Sequence, residues 1–444
     1  MAERALILCG YFAPDNAIAS IRMTKMAKYL TLNGYDVTVA VLRRREYLVD
    51  AALTDDLKYP DLLLEHREVS IDRLAARIRA LRGKRMHAAT SAAQVTTSRS
   101  HQRSARLDGL SRFVRYLCEV LLLPVNVARA QRLLKHLPMS QYTVLISTYS
   151  PLWPHYVAQH LKKRNNRVCW VADFRDQVYD SYTPTLFVQY AQRFASRLTT
   201  SANFVVGVSS GVLDSLGVDR SRCRLIPNGF DPDDIRHAQV VERASELTFA
   251  FAGQLYGGRR KLTPFFRALR DLVTSGDIDA SRIQVCYAGK SGRVFFAQAR
   301  QYGMESSGID MGLLSRRETL GLELRSDILL NATWNTAGST GVVTGKMLEY
   351  LMVGKPVITI VCGDLPNSEA KTISELCRLG YCYEEACDSS DYAELKAYVK
   401  TQYETFVASG FVTFDPDRSA VNEFDYSRII QKLIDLLPRG VASI

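Results

Sequence analysis

Thr344-Gly345-Lys346 stands directly before a short apolar run, and Glu349 lies three residues further in. Met347, Leu348, Leu351 and Met352 recur at helical spacing, Gly354 closes the run and Pro356 follows it. That pattern predicts a helix that starts at Thr344 and ends at a left-handed glycine. Unpaired N–H groups at the helix start, together with the Lys346 ammonium, make an anion site. A carboxylate one turn inward, off the apolar face, is placed to accept hydrogen bonds from a ribose diol. Ser339-Thr340-Gly341 leaves the preceding backbone free to approach a ligand closely. The stretch is not a nucleotide P-loop: Thr340 occupies the first glycine position and Met347 follows the lysine. The plainer alternative is a surface helix whose glycines only make turns.

Four other groups could do chemistry. Asp173-Phe174-Arg175-Asp176 ends an apolar run and reads either as a site carboxylate or as a salt-bridged turn. His155, in "STYSPLWPHY", is a candidate donor or a structural histidine. Arg22 begins a helix, where it meets an anion or water. Cys377, Cys382 and Cys387 have four residues between each, which matches no zinc signature, and no histidine is near. The nine cysteines are odd in number and lie mostly in apolar runs, as free thiols of a reducing compartment do.

Positioning these groups requires alternating strands and helices. "ALILCG", a loop, the helix "IRMTKMAKYLTLNG" and the strand "YDVTVAVL" make a βαβ unit, which is right-handed and parallel. "YTVLIST", "RVCWVADF" and "NFVVGVS" continue the series, and "CRLIPNGF" closes it. After the polar connector "DPDDIRHAQVVERASE" a second series opens with "LTFAFAGQL", continues with "IQVCYAG" and ends with "PVITIVCG". Two serial α/β halves imply two Rossmann-like domains facing across a cleft, with ligands beyond the strands' C-terminal ends. The expected division is residues 1–232, with a basic insertion at about 67–135, then 245–424, and a C-terminal helix in 425–444 that packs back on the first domain.

The 444 residues are 47% hydrophobic and 23% charged, which suits a globular protein with a large core. No apolar run reaches membrane-spanning length and no signal peptide is legible at the N-terminus, so the expected location is cytoplasmic. The formal charge is +11, while residues 73–135 alone carry a net +12. Phe113, Tyr116, Leu117 and Val120 share a helical face with Arg112 and Arg115 at its edges. The segment is read either as helices with solvated arginines or as a surface that rests on anionic lipid at the inner face of the plasma membrane. It lacks zinc ligands, aromatic-glycine interleaving and a helix-turn-helix, so nucleic acid is not the expected partner.

"TGKMLEYLMVGKPVI" resembles the donor-site motif of the GT-B glycosyltransferases of the large retaining family 4. "IPNGFD" (226–231), "FAGQLYGGRR" (251–260), "YAGKSG" (287–292) and "MGLLSRRETLGLELRSDILL" (311–330) resemble further motifs of that family in the same order. "YFAPDNAIASIRMTKMAKYL" (11–30) and "VADFRD" (171–176) resemble a bacterial branch that builds surface polysaccharides such as capsule or lipopolysaccharide. The resemblance implies a GT-B fold and a nucleotide-sugar co-substrate, with uridine the first expectation. It also implies transfer without a bound metal. Glu349 would hold the ribose, with Thr344, Gly345, Lys346 and Gly289 near the donor. Asn16, Ser20, Arg22, His155 and Asp176 would face the acceptor side, with Asp173 as the catalytic candidate there.

Two departures matter. The family's second glutamate, eight residues before Glu349, is Gly341 here, and its arginine after the second-domain glycine is Gln254. The diphosphate cations must then be Arg259, Arg260 or Lys261, of which Arg260 is favoured. Asp231-Pro-Asp233 is read as turn chemistry rather than a metal motif. The expected activity is a hexosyl- or N-acetylhexosaminyl-transfer to a lipid-linked or polysaccharide acceptor. The alternatives are a nucleotide-sugar epimerase on the same fold, a catalytically dead homologue and a basic nucleic-acid-binding protein.

Overall fold

A computed structural model describes residues 2–15, 17–44, 47, 49–69, 117–179, 183, 185–239 and 242–437. Asn16 and most of the basic insertion, including Arg112, Phe113, Arg115 and Tyr116, lie outside the described residues.

The first sheet holds strands β1 Glu3–Cys9, β2 Tyr35–Arg43, β3 Leu62–Arg67, β4 Tyr142–Tyr149, β5 Cys169–Phe174, β6 Phe204–Gly207 and β7 Cys223–Leu225. Their spatial order is β3-β2-β1-β4-β5-β6-β7, and every described pairing is parallel. The second sheet holds β8 Leu247–Ala252, β9 Ile283–Ala288, β10 Gly308–Asp310, β11 Ile328–Trp334, β12 Val357–Cys362 and β13 Gly380–Glu384, in the order β10-β9-β8-β11-β12-β13. Each sheet reverses its strand order once, between β1 and β4 and between β8 and β11. At such a point neighbouring crossovers go to opposite faces and leave a crevice at the strands' C-terminal ends.

The strands are apolar along both faces because helices cover both faces. In β1 the alternation sends Leu6 and Leu8 into one core with Leu145, Trp153 and Trp170, and Ile7 and Cys9 into another with Met23, Met26 and Leu30. Met23, Met26 and Leu30 belong to helix α1 (Ile18–Leu32), and Trp153 begins helix α2 (Trp153–Arg164). In the second domain the helices that matter are α3 (Arg316–Arg325), α4 (Gly345–Val353) and α5 (Glu369–Leu376). The last described helix, α6 (Tyr426–Ile434), returns to the first domain and buries Tyr426, Ile429, Ile430 and Leu433 beside α1. Two backbone bonds fix its approach, Phe230 N–H to Phe424 O and Tyr426 N–H to Phe230 O, both 2.9 Å. Residue 229 is glycine because a Cβ there would lie 2.2 Å from Phe424 O.

A buried ionic knot sits where α1 meets the segment leaving the first domain. Lys25 Nζ lies 2.7 Å from Asp56, 2.7 Å from Asp231 and 2.5 Å from Asp234. Lys28 holds Asp231 at 2.6 Å and Asp233 at 2.8 Å. The three aspartates around Lys25 are close enough together to hold a cation, and the lysine ammonium is that cation. Asp231 also accepts from the Asp233 N–H, so the turn read from Asp231-Pro-Asp233 is present and doubles as the lysine clamp. Among the described residues no helix is long and apolar enough to cross a membrane, and all nine cysteines are unbridged.

Candidate functional site

A cavity of about 700 Å³ runs between the two domains. Arg22 of α1, Arg175 and Asp176 after β5, and Ser209 and Ser210 after β6 form its first wall. Arg260, Trp334 and the loop 339–345 leading into α4 form the second. The walls touch. Gly341 has φ +73°, and a Cβ on it would stand 2.8 Å from Ser209 Oγ and 3.1 Å from Gly211 Cα. Glu369, at the start of α5, accepts from the Ser210 N–H at 2.9 Å. Glycine at 341 therefore lets the loop before α4 meet the opposite domain; a glutamate there would clash.

Helix α4 forms as its sequence predicts. Thr344 is the N-cap, accepting from Met347 N–H at 3.1 Å and donating to Asn331 Oδ1 at 2.8 Å. Gly354 closes it at φ 68°. Met347, Leu348, Leu351 and also Tyr350 are buried. The N–H groups of Gly345 and Lys346 meet no acceptor among the described residues, as expected of a first turn, and Gly345 faces the cavity. The Thr344 hydroxyl itself is occupied by capping.

Lys346 departs from its expected role. Its ammonium turns back along the helix to Glu323, at 2.8 Å, and to Glu349. The anion site at the helix start therefore consists of amides without a free lysine charge. Glu349 is met on its other oxygen by Arg316, 3.8 Å away, and Arg316 also holds Asp234 at 2.9 Å and Asp50 at 3.7 Å. Burial pushes both acids of the Glu323–Glu349 pair upward. Lys346 and Arg316 reverse this for Glu349 and hold it down at about 2, while burial and the neighbouring Glu349 charge send Glu323 well above the usual range. Glu349 is thus the ionised member of the pair and Glu323 the protonated one. Sequence reasoning missed Glu323 and Arg316. Both lie on α3, and no local pattern marks an acid or an arginine whose partners are on another element.

Of the three expected diphosphate cations, Arg260 lines the cavity. Its guanidinium lies over the rings of Tyr256 (4.7 Å) and Trp334 (5.2 Å), and its buried Nε meets no acceptor. No carboxylate among the described residues pairs with it. Burial pulls its pKa down from the usual arginine value. Lys261 is tied to Glu385 at 2.8 Å, and Arg259 is exposed beside it. Gly289 lies in the loop after β9 and donates to Gly312 O at 2.8 Å, away from the cavity lining.

On the opposite wall Asp173 is fully buried and does not pair with Arg175. Arg22 grips it through Nη2 at 2.6 Å and Nε at 3.1 Å, and Thr148 donates to its other oxygen at 2.8 Å. Arg22 also donates to Ile226 O, Pro227 O and Asn228 Oδ1. All five guanidinium donors are thereby engaged, and Arg22 is neither solvated nor open to an incoming anion. Asp176 is exposed, lines the cavity and stands 3.3 Å from Arg175. Ser20 is fully buried with its hydroxyl unpartnered, inside the first domain rather than on the cavity wall.

His155 is also fully buried. Its Nδ1 is 2.7 Å from Ser147 Oγ, which accepts from Trp170 Nε1 at 2.8 Å. The ring packs on Phe174 at 4.7 Å. Burial drives its pKa down to about 3, against a weaker pull from Asp173. A folded value below the unfolded one near 6.5 means that the unfolded chain binds more protons between those limits. Stability then falls as the pH drops through about 6.5. From pH 7 to pH 5 the loss expected from this group is about 2 kcal/mol. Urea denaturation of wild type and His155→Gln at both pH values tests this. The variant should lose clearly less stability on acidification, and equal losses would contradict the assignment.

No family model matches the chain, and no curated protein matches it. Solved structures do. Anabaena HepE in complex with UDP aligns over 98% of this chain and 99% of its own, with a TM-score of 0.57 at 13% identity. The lipopolysaccharide outer core galactosyltransferase WaaB aligns over 98% of each chain, with a TM-score of 0.53 at 12% identity. Sucrose-phosphate synthase from Thermosynechococcus elongatus also aligns over 98% of each, with a TM-score of 0.57 at 11% identity. At these identities the likeness defines the fold, which is GT-B: two Rossmann-like α/β domains with a cleft between them.

Proposed function

We propose that this protein is a glycosyltransferase that moves a sugar, with retention at the anomeric carbon, from a nucleotide-sugar to an acceptor used in bacterial surface glycans. The observation that carries the proposal is the second wall of the cavity. There an arginine without a carboxylate partner and the start of α4 at Gly345 face the same space, with the ionised Glu349 one turn behind them, outside the cavity lining. Similar structures were solved with UDP and with UDP-glucose, which supports uridine as the base.

Cleavage of the anomeric carbon–oxygen bond leaves an oxocarbenium-like sugar and puts negative charge on the departing diphosphate. Arg260 and the Gly345 amide, both in the cavity lining, are placed to take up that charge. Transfer then needs no divalent ion for this step. The acceptor oxygen bonds to the anomeric carbon on the face the diphosphate leaves, and its proton passes to the leaving group. Glu349, kept ionised, accepts from the ribose diol. Asp173 acts through Arg22, which it holds against the cavity floor.

A thermal-shift panel of UDP, GDP, CMP and ADP, each with and without EDTA, tests the reading. One diphosphate, expected to be UDP, should raise Tm in both conditions, and Glu349→Ala should shrink that shift, measured against a ligand-free Tm that itself falls because Lys346 and Arg316 lose a buried counter-charge. Absence of any nucleotide shift would contradict the donor site.

The acceptor side is proposed to rest on anionic lipid. Residues 117–133 are helical, and Leu117, Leu121 and Val125, four residues apart, are exposed along one face. Arg132, seven residues after Val125, follows on the same face. An apolar stripe running into basic residues matches an interfacial helix. Leu121→Asp combined with Arg132→Glu should cut co-sedimentation with phosphatidylglycerol vesicles by about tenfold or more. Unchanged sedimentation would remove the membrane from the account.

A further inference from the structure

Asn228 stands in the motif 226–231 that closes the first domain. It is half-buried and lines the cavity, yet the donor reading assigns it no part. Its amide is oriented by a neighbour. Arg22 Nη1 donates to the Asn228 side-chain oxygen at 3.2 Å. A guanidinium only donates, so the amide oxygen turns toward Arg22 and the NH2 group turns away from it. Arg22 is itself fixed: Nη1 also donates to Pro227 O at 2.9 Å, and Asp173 takes Nη2 and Nε. The Asn228 NH2 group meets no acceptor among the described residues.

The wall that carries this amide is the wall that meets the start of α4. Ile18 and Arg22 are four residues apart on α1 and share one face of it. Ile18 reaches the second domain, since a Cβ on Gly345 would lie 3.1 Å from Ile18 Cδ1. Asn228, Arg22, Ile18, Gly345 and Arg260 all border the same cavity. A diphosphate set on the Gly345 amide therefore has Arg260 on its own side and the first-domain wall across from it.

We infer that the Asn228 amide donates a hydrogen bond to the terminal phosphate of the nucleotide. The inference rests on the donor proposal and adds a contact from the opposite domain. With its oxygen committed to Arg22, the amide offers only donors, and the oxygens of an ionised diphosphate offer only acceptors. Charge developing on the departing diphosphate is then met from both walls. Asp173 and Arg22 become positioning residues: the carboxylate fixes the guanidinium, and the guanidinium fixes the amide.

Calorimetric titrations of UDP and of UMP into full-length wild type, Asn228→Ala and Asn228→Asp test this. UMP lacks the terminal phosphate, so the ratio of the two affinities isolates it. Asn228→Ala should lower the advantage of UDP over UMP about tenfold, the effect of losing one hydrogen bond to a charged group. Asn228→Asp keeps an oxygen for Arg22 but puts a second carboxylate oxygen where the NH2 group stood, and it should lower the advantage further. A role confined to holding Arg22 predicts the opposite order, with Asn228→Asp close to wild type and Asn228→Ala weakened for both nucleotides. That order would overturn the inference, as would an unchanged UDP advantage in both variants. If wild type binds neither nucleotide, or binds UDP no more tightly than UMP, the donor proposal itself fails and takes this inference with it. A wild-type advantage that both variants keep removes this inference alone.

Discussion

Asp173→Asn should lower the unfolding free energy by about 3–5 kcal/mol, because it leaves a buried arginine without its counter-charge. Arg22 is 1% exposed and Asp173 is 0% exposed. The carboxylate receives two guanidinium nitrogens and the Thr148 hydroxyl. Asparagine keeps the shape and removes the charge, so the loss measures electrostatics rather than packing. Breaking one partner of a buried pair costs far more than replacing both, so Arg22→Met/Asp173→Leu should recover part of the loss. A drop in Tm of about 3–5 °C is expected for Asp173→Asn. A Tm within about 2 °C of wild type would show that the pair is not essential to stability and would return Asp173 to consideration as a group that touches the acceptor directly.

Arg260→Ala should weaken UDP binding by about 10- to 100-fold, the loss expected when charge-assisted hydrogen bonds worth about 1.5–3 kcal/mol are removed. The expectation rests on its isolation from carboxylates. A structural arginine at this depth finds an acid, as Arg22 and Arg316 do. Arg260 instead sits on Tyr256 and Trp334 with a buried donor open. Those rings pack without it, so the ligand-free variant should unfold close to wild type. Arg260→Lys should recover only part of the affinity, since an ammonium restores the charge but not the two-pronged donor geometry. An unchanged UDP affinity in Arg260→Ala would move the diphosphate elsewhere in the cleft.

The parts of the molecule legible in the sequence were those set by local pattern. Near-continuous apolar runs separated by helices announced two parallel sheets. The α4 helix, its Thr344 cap and its Gly354 terminus followed from residues within ten positions of one another. The short strands β3, β10 and β13 were not anticipated: β3 is an edge strand with exposed residues and β10 has only three residues, too few to show a period. Charge partners were the main gap. Arg22 and Asp173 are 151 positions apart, and Lys25 finds Asp231 and Asp234 across the whole first domain. A lysine next to a helix start reads as an anion ligand, yet Lys346 serves Glu323 and Glu349 because two acids on neighbouring helices cannot both remain buried without it. The placement of Asp173 near Arg175 suggested a local pair; β5 ends at Phe174, so Arg175 lies beyond the strand, and the Asp173 carboxylate is taken by Arg22 from α1.

The central claim is that a nucleoside diphosphate binds between the domains against Arg260 and the start of α4. Hydrogen exchange with mass-spectrometric readout, with and without saturating UDP in the presence of EDTA, tests it most directly. The account predicts slower exchange in peptides covering 254–261 and 339–349 on addition of UDP, with the α1 peptide 18–32 protected less. Protection confined to other regions, or none at UDP concentrations that saturate related folds, would contradict it.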